Sequence, residues 1–146
     1  MPRKLSDHAK ILIFFLERHI PKNWRIKKID NLNENETFKY LSKSKIFLSL
    51  SNLEGLGLPP LEAALAGNKV IGYTGEAGKE YWKKPMFIEI YNGDLKKFCK
   101  TVLKAINYKA KINNKPLIKK MFYKYSEEYE KNKIRKMLKK IHTIIK

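Results

Sequence analysis

The spacing of apolar residues changes several times along the chain, and each change marks an element. Across 5–19, Ile11, Leu12, Phe15 and Leu16 recur at helical spacing; Ser6 or Asp7 can cap the start and Pro21 follows the end, which predicts a helix. Residues 24–29, with Trp24, Ile26 and Ile29 set among Arg25, Lys27 and Lys28, alternate well enough for a strand. Asn33 followed by Glu36 has the form of a capping box, and it predicts a short helix to about residue 43 with Phe38 and Leu41 on one face. Residues 45–50 are apolar nearly throughout, as a strand covered on both faces should be.

The alternation then repeats. An alanine-rich helix over 61–65 closes at Gly67, and 69–73 and 86–90 read as two more buried strands. Asn92 and Gly93 make a turn, Asp94 can cap, and 95–106 is amphipathic through Leu95, Phe98, Cys99, Val102 and Ile106. The tail over 116–145 reads as two helices; Ser126 caps the second, and Glu127, Glu128 and Glu130 suit its first turn. Strands alternating with helices at these lengths imply right-handed βαβ units. The expected fold is therefore α/β: a Rossmann-like parallel sheet with helices on both faces and extra C-terminal helices. It is expected to form a single domain over 1–146, with 116–146 as a helical segment at its end. No strand pattern precedes the first helix, so the first strand of this layout is expected to be missing.

Composition narrows the classes. With 146 residues the chain suits one domain, and 43% hydrophobic and 12% aromatic content is too high for a disordered basic tail. No apolar run approaches the roughly 20 residues a membrane-spanning helix needs. The single cysteine, Cys99, excludes an internal disulfide and a cysteine-rich zinc site. A soluble, cytoplasmic domain is expected. His8, His19 and His142 lack partners at metal-ligand spacing, and Cys99 reads as packing rather than as a nucleophile. Trp24, Trp82, Tyr123 and Tyr125 could stack bases, although core packing suits them better. The 32 Lys+Arg against 14 Asp+Glu give a net charge of +18, open to three readings: a nucleic-acid footprint, an anionic membrane contact, or a composition saturated with lysine. Arginine occurs only at positions 3, 18, 25 and 135, and lysines are spread along every element, which favours the third.

The chemistry is concentrated after the strand at 45–50. In a parallel open sheet, ligands bind beyond the carboxyl ends of the strands, and the segment there runs Ser51-Asn52-Leu53-Glu54-Gly55-Leu56-Gly57-Leu58-Pro59-Pro60-Leu61-Glu62. Gly55 and Gly57 let the backbone approach a ligand closely. Pro59 and Pro60 fit the first turn of a helix whose N-terminus is a seat for a diphosphate. Glu54 and Glu62 bracket that seat, and carboxylates are good acceptors for the hydroxyl pairs of a ribose or hexose. Either glutamate alone could simply be a surface charge; together with the glycines and prolines, they outline a sugar-nucleotide site.

Over Ser44–Tyr73 the chain resembles the donor-binding core of GT-B glycosyltransferases, especially the retaining family 4 group. The resemblance rests on Glu54-Gly55-Leu56-Gly57-Leu58-Pro59, on Glu62 with Ala63 and Ala64 behind it, on Gly67, and on the two flanking strands. The family pattern is E-G-F-G-L-P-x-x-E, and Leu56 stands where Phe is commonest. The resemblance implies one half of a GT-B fold that moves a sugar from a nucleotide-diphosphate donor to an acceptor hydroxyl with retention. Glu62 would bind the ribose, and Glu54 the transferred sugar or the reacting centre. Backbone N–H groups of Gly55, Leu56, Gly57 and Leu58 would meet the sugar and diphosphate. Arg3 or Lys4 lies near the place of the family's diphosphate-neutralising cations. Thr74 and Gly75 open a second loop, running on through Glu76, Ala77, Gly78, Lys79 and Glu80 to Tyr81, where relatives carry glycines near the donor.

The resemblance also implies no obligatory metal or other cofactor, in keeping with the lack of an Asp-x-Asp. Its expected partners are the nucleotide sugar and a missing N-terminal acceptor-binding domain, without which transfer should be slight. An anionic membrane surface is a further candidate partner, with the chain peripheral at the inner face; nucleic acid is not expected. The setting implied is bacterial cell-surface polysaccharide synthesis. Two other classes stay open: a basic nucleic-acid-binding module and a non-catalytic interaction domain.

Overall fold

The computed structural model describes residues 6–51, 57–107, 120 and 122–144. The chain divides into two compact units, Met1–Asn113 and Asn114–Lys146. In the first, the described elements are α1 (Ser6–His19), α2 (Glu34–Lys43), β1 (Ile46–Ser51), α3 (Leu58–Leu65), β2 (Lys69–Thr74), a 3-10 turn (Ala77–Glu80), β3 (Phe87–Glu89) and α4 (Leu95–Asn107). The second contains α5 (Glu127–Ile144).

The three strands form a parallel sheet in the order β1-β2-β3. Side chains alternate across it. Ile46, Leu48 and Leu50 of β1, Ile71 and Tyr73 of β2 and Ile88 of β3 point to one face, where they meet Leu12 and Leu16 of α1 and Phe98 and Val102 of α4. The helix α1 packs on α4, and α4 packs on β2. On the opposite face lie Phe47, Ser49 and Ser51 of β1 with Val70 and Gly72 of β2, covered by α3, which α2 supports in turn. Helices thus lie on both faces of a parallel sheet, and the Rossmann-like α/β expectation holds.

The local signals act as their chemistry requires. Asn33 caps α2 through its side chain, and the Glu36 carboxylate returns to accept from the Asn33 N–H, so the capping box forms in full. Asp94 accepts from the Lys97 N–H at 2.9 Å at the start of α4. Buried Asn68 donates to the carbonyls of Leu41 and Ala63, fixing the ends of α2 and α3 beside β2. At Gly72 the backbone of β2 passes so close to β1 that an added Cβ would stand 1.9 Å from the Ser49 carbonyl oxygen, and φ is +144°.

Two expectations are corrected. Residues 24–29 join no strand ladder: Ile26 packs on the core through its side chain, while Lys27 and Lys45 lie over the rings of Tyr40 and Trp24. Alternating exposure records a segment lying half-buried on the surface as well as a strand, and only pairing separates the two. Of the apolar pair in α2, Leu41 is buried but Phe38 is 67% exposed. The first of the two expected tail helices falls largely outside the described residues.

Candidate functional site

In the parallel register Ser51 pairs with Thr74, so β1 and β2 end side by side and the segments after them leave the same edge of the sheet. Residues 52–56 lie outside the described residues, and with them Glu54, Gly55 and Leu56; so do Arg3 and Lys4. The described part of the site begins at Gly57, whose φ of 65° and ψ of 57° are left-handed and suit glycine. From that residue the chain turns directly into α3.

The opening of α3 has a chemical consequence. A helix leaves its first four N–H groups, counted from the cap, without intrahelical acceptors. Here two of the four positions are Pro59 and Pro60, which have no N–H. The donors left to an incoming anion are those of Gly57 and Leu58. Glu62 sits one turn further along and is exposed, while Leu61, Ala63 and Ala64 beside it are buried against the sheet. Its carboxylate is held at the surface by a helix anchored through its other faces.

The segment after β2 completes the arrangement. Thr74 donates its hydroxyl to the Gly75 carbonyl, and Gly75 takes a positive φ of 62°. The 3-10 turn then carries the chain to Tyr81, which is buried and donates its hydroxyl to the Gly57 carbonyl at 2.7 Å. Tyr81 also meets the Phe87 ring edge-on, with the Trp82 ring packed on the same phenylalanine. A side chain from the second loop therefore fixes the turn at the end of the first. Two polar atoms nearby are buried with no hydrogen-bond partner among the described residues, Ser51 Oγ at the end of β1 and Trp82 Nε1. A buried donor left unmet costs about 1–3 kcal/mol, and a polar ligand is one means of meeting it.

Of the residues singled out from the sequence, the structure gathers Gly57, Leu58, Glu62, Thr74 and Gly75 at the carboxyl edge of β1 and β2. From the sequence, Tyr81 reads only as a loop residue and Ser51 only as part of the motif. Their roles depend on pairing across sequence and carry no local signature, although an aromatic residue close behind the Thr74–Gly75 turn was a usable hint.

Of the remaining chemistry-bearing residues, His8 and Cys99 pack inward, while His19 and His142 are exposed. His8 Nδ1 lies 3.1 Å from the Tyr73 hydroxyl, and the Tyr73 ring meets Phe98 edge-on. Burial, reinforced by the charge of Asp94 and opposed by a backbone hydrogen bond at Gly93, pushes the Tyr73 hydroxyl above its ordinary pKa. Burial likewise pushes the Cys99 thiol up, consistent with packing against the core rather than nucleophilic work. Among the described residues no three His, Cys, Asp or Glu side chains gather as a metal-ligand set, and no helix is long and apolar enough to cross a membrane.

Against known proteins, no family model matches the chain, and no solved structure matches it. A stretch of 52 residues, 36% of the chain, is 38% identical to "Putative glycosyltransferase ORF330" of Acidianus filamentous virus 2 (isolate Italy/Pozzuoli). The match spans only 16% of that viral protein. The chain is thus similar, over about a third of its length, to part of a protein named as a glycosyltransferase.

Proposed function

We propose that the chain is the donor-binding half of a GT-B glycosyltransferase of the retaining, family 4-like kind. The observation that carries this reading is the junction at the sheet edge. The bond from Tyr81 pins the Gly57 turn, from which α3 presents two N–H donors and, one turn on, the exposed Glu62. A nucleotide-diphosphate sugar offers complementary groups: hydroxyl pairs for carboxylates, and phosphate oxygens for N–H groups. The partial similarity to a named glycosyltransferase points the same way.

In this reading Glu62 accepts from the ribose hydroxyls, and Glu54 holds hydroxyls of the transferred sugar or faces the reacting carbon. The N–H groups of Gly55, Leu56, Gly57 and Leu58 meet the sugar and diphosphate, with Thr74 and Gly75 closing the far side. Because Pro59 and Pro60 reduce what α3 can donate, the charge gathering on the departing diphosphate needs cations as well, and Arg3 or Lys4 is assigned that part. The chemistry is otherwise positioning: the donor's anomeric carbon is held for an acceptor hydroxyl brought by an acceptor-binding half outside these residues. No metal or other cofactor is assigned to the step.

Thermal shift with UDP, GDP, ADP and their sugar conjugates tests the reading. One nucleotide series should raise the melting temperature, and Glu62→Ala should weaken that ligand at least about tenfold, the value of a lost charge-assisted hydrogen bond or two. Glu62 is exposed, so the variant should keep its fold. No shift with any nucleotide would overturn the assignment.

A further inference from the structure

The donor reading leaves α5 without a task, and its surface is unlike that of an ordinary solvated helix. Ile134, Met137, Leu138 and Ile141 follow the three- and four-residue spacing that puts side chains on one stripe. They are 48%, 59%, 57% and 44% exposed. From Lys131 onward α5 carries Lys131, Lys133, Arg135, Lys136, Lys139 and Lys140 and no carboxylate; Glu127, Glu128 and Glu130 are confined to its first turn. At 100° per residue, Lys133 and Lys140 fall on one flank of the apolar stripe and Lys131 and Arg135 on the other, with Lys136 and Lys139 on the far face.

We propose that α5 is a membrane-surface helix, lying in the headgroup region of an anionic lipid bilayer with the Ile134–Met137–Leu138–Ile141 stripe seated among the acyl chains. The charge pattern favours this occupant over a second copy or a nucleic acid. A stripe edged by cations on both sides would, against a second copy of itself, bring like charges together along both seams. Nucleic acid would satisfy the cations but offers no apolar phase for four exposed aliphatic side chains. An anionic bilayer supplies both at once: phosphate oxygens at headgroup depth and hydrocarbon just below. Lysine stems suit that geometry, because they extend along the apolar surface while the ammonium group stays in water. The length also fits, since an 18-residue helix lying flat needs no spanning run and has none.

The test uses the full chain and flotation with vesicles of phosphatidylcholine alone or of equal parts phosphatidylcholine and phosphatidylglycerol. The protein should float with the anionic vesicles and not with the neutral ones. Leu138→Ser with Ile141→Ser keeps every charge and changes only exposed positions; circular dichroism should show the helix content retained. Binding by this variant should fall at least about tenfold at moderate salt, because two aliphatic side chains no longer enter the lipid. Lys133→Gln and Lys140→Gln should each weaken binding roughly fivefold at low salt. In Met137→Trp, the added emission should shift to the blue on anionic vesicles and be quenched by lipids brominated on the acyl chains.

Failure to float with anionic vesicles would overturn the proposal. So would equal binding by the double serine variant, which would mean that charge alone attracts the chain. A dimer abolished by the same serines while vesicle binding persists would assign the stripe to a second copy instead. Glu62→Ala should float like the parent protein, so this proposal and the donor reading stand or fall separately.

Discussion

Gly72 is the residue on which the sheet is least forgiving. A methyl group there would collide with the Ser49 carbonyl at 1.9 Å, on backbone that strands cannot shift without losing their ladder, and its φ of +144° is strained for any other residue. Gly72→Ala should therefore cost more than about 3 kcal/mol or prevent folding, read by urea unfolding. Tyr73, on the other face, makes a pH-dependent contribution. Its raised pKa means that the folded state holds the phenolic proton more tightly than the unfolded chain does. That contribution is whole below about pH 10, the unfolded value, and is lost as pH climbs through the higher folded value. Tyr73→Phe should cost about 1 kcal/mol at neutral pH, through the bond to His8, yet flatten the alkaline fall in stability measured from pH 9 to 11.

Among the elements, α2 and α3 are held in different ways. The capping box of α2 is local, and Asn33→Ala should lower stability by about 1 kcal/mol without touching ligand binding. The mouth of α3 depends on a long-range bond. Tyr81→Phe should cost a similar amount in stability but also weaken the proposed nucleotide binding several-fold, since the Gly57 turn would lose its anchor. Thermal shift with and without ligand separates the two effects. The same contrast explains what could be read from sequence. Helices α1, α2 and α4 and the three strands carry their own periodicity and caps, so their limits were legible within a residue or two. Glycine and proline spacing similarly marked the turn into α3. Segment 24–29 misled because half-burial mimics a strand, and Phe38 because helical spacing does not say whether a neighbour covers it. The Tyr81–Gly57 and His8–Tyr73 bonds join residues far apart in sequence, and local patterning holds no record of them.

For the whole molecule, a charge of +18 on 146 residues is a standing cost, because the folded state packs like charges closer than the unfolded chain does. Added salt should relieve it: the melting temperature should rise by a few degrees between low salt and about 0.15 M, where the Debye length is near 8 Å. Partial sequence similarity to a glycosyltransferase, an open sheet edge and a basic, apolar-striped helix are separate features of the chain, and each calls for its own measurement.

The paired prolines at the start of α3 also decide how the proposed donor binding can be watched. Residues 59 and 60 have no amide hydrogen, so they are silent in hydrogen exchange and in amide NMR spectra. The helix mouth then reports through the amides of Gly57 and Leu58, isolated from the rest of the helix by that silence. A nucleotide sugar seated there should slow the exchange of those two while the amides of α2 keep their rates, which gives binding a readout at the level of single hydrogens.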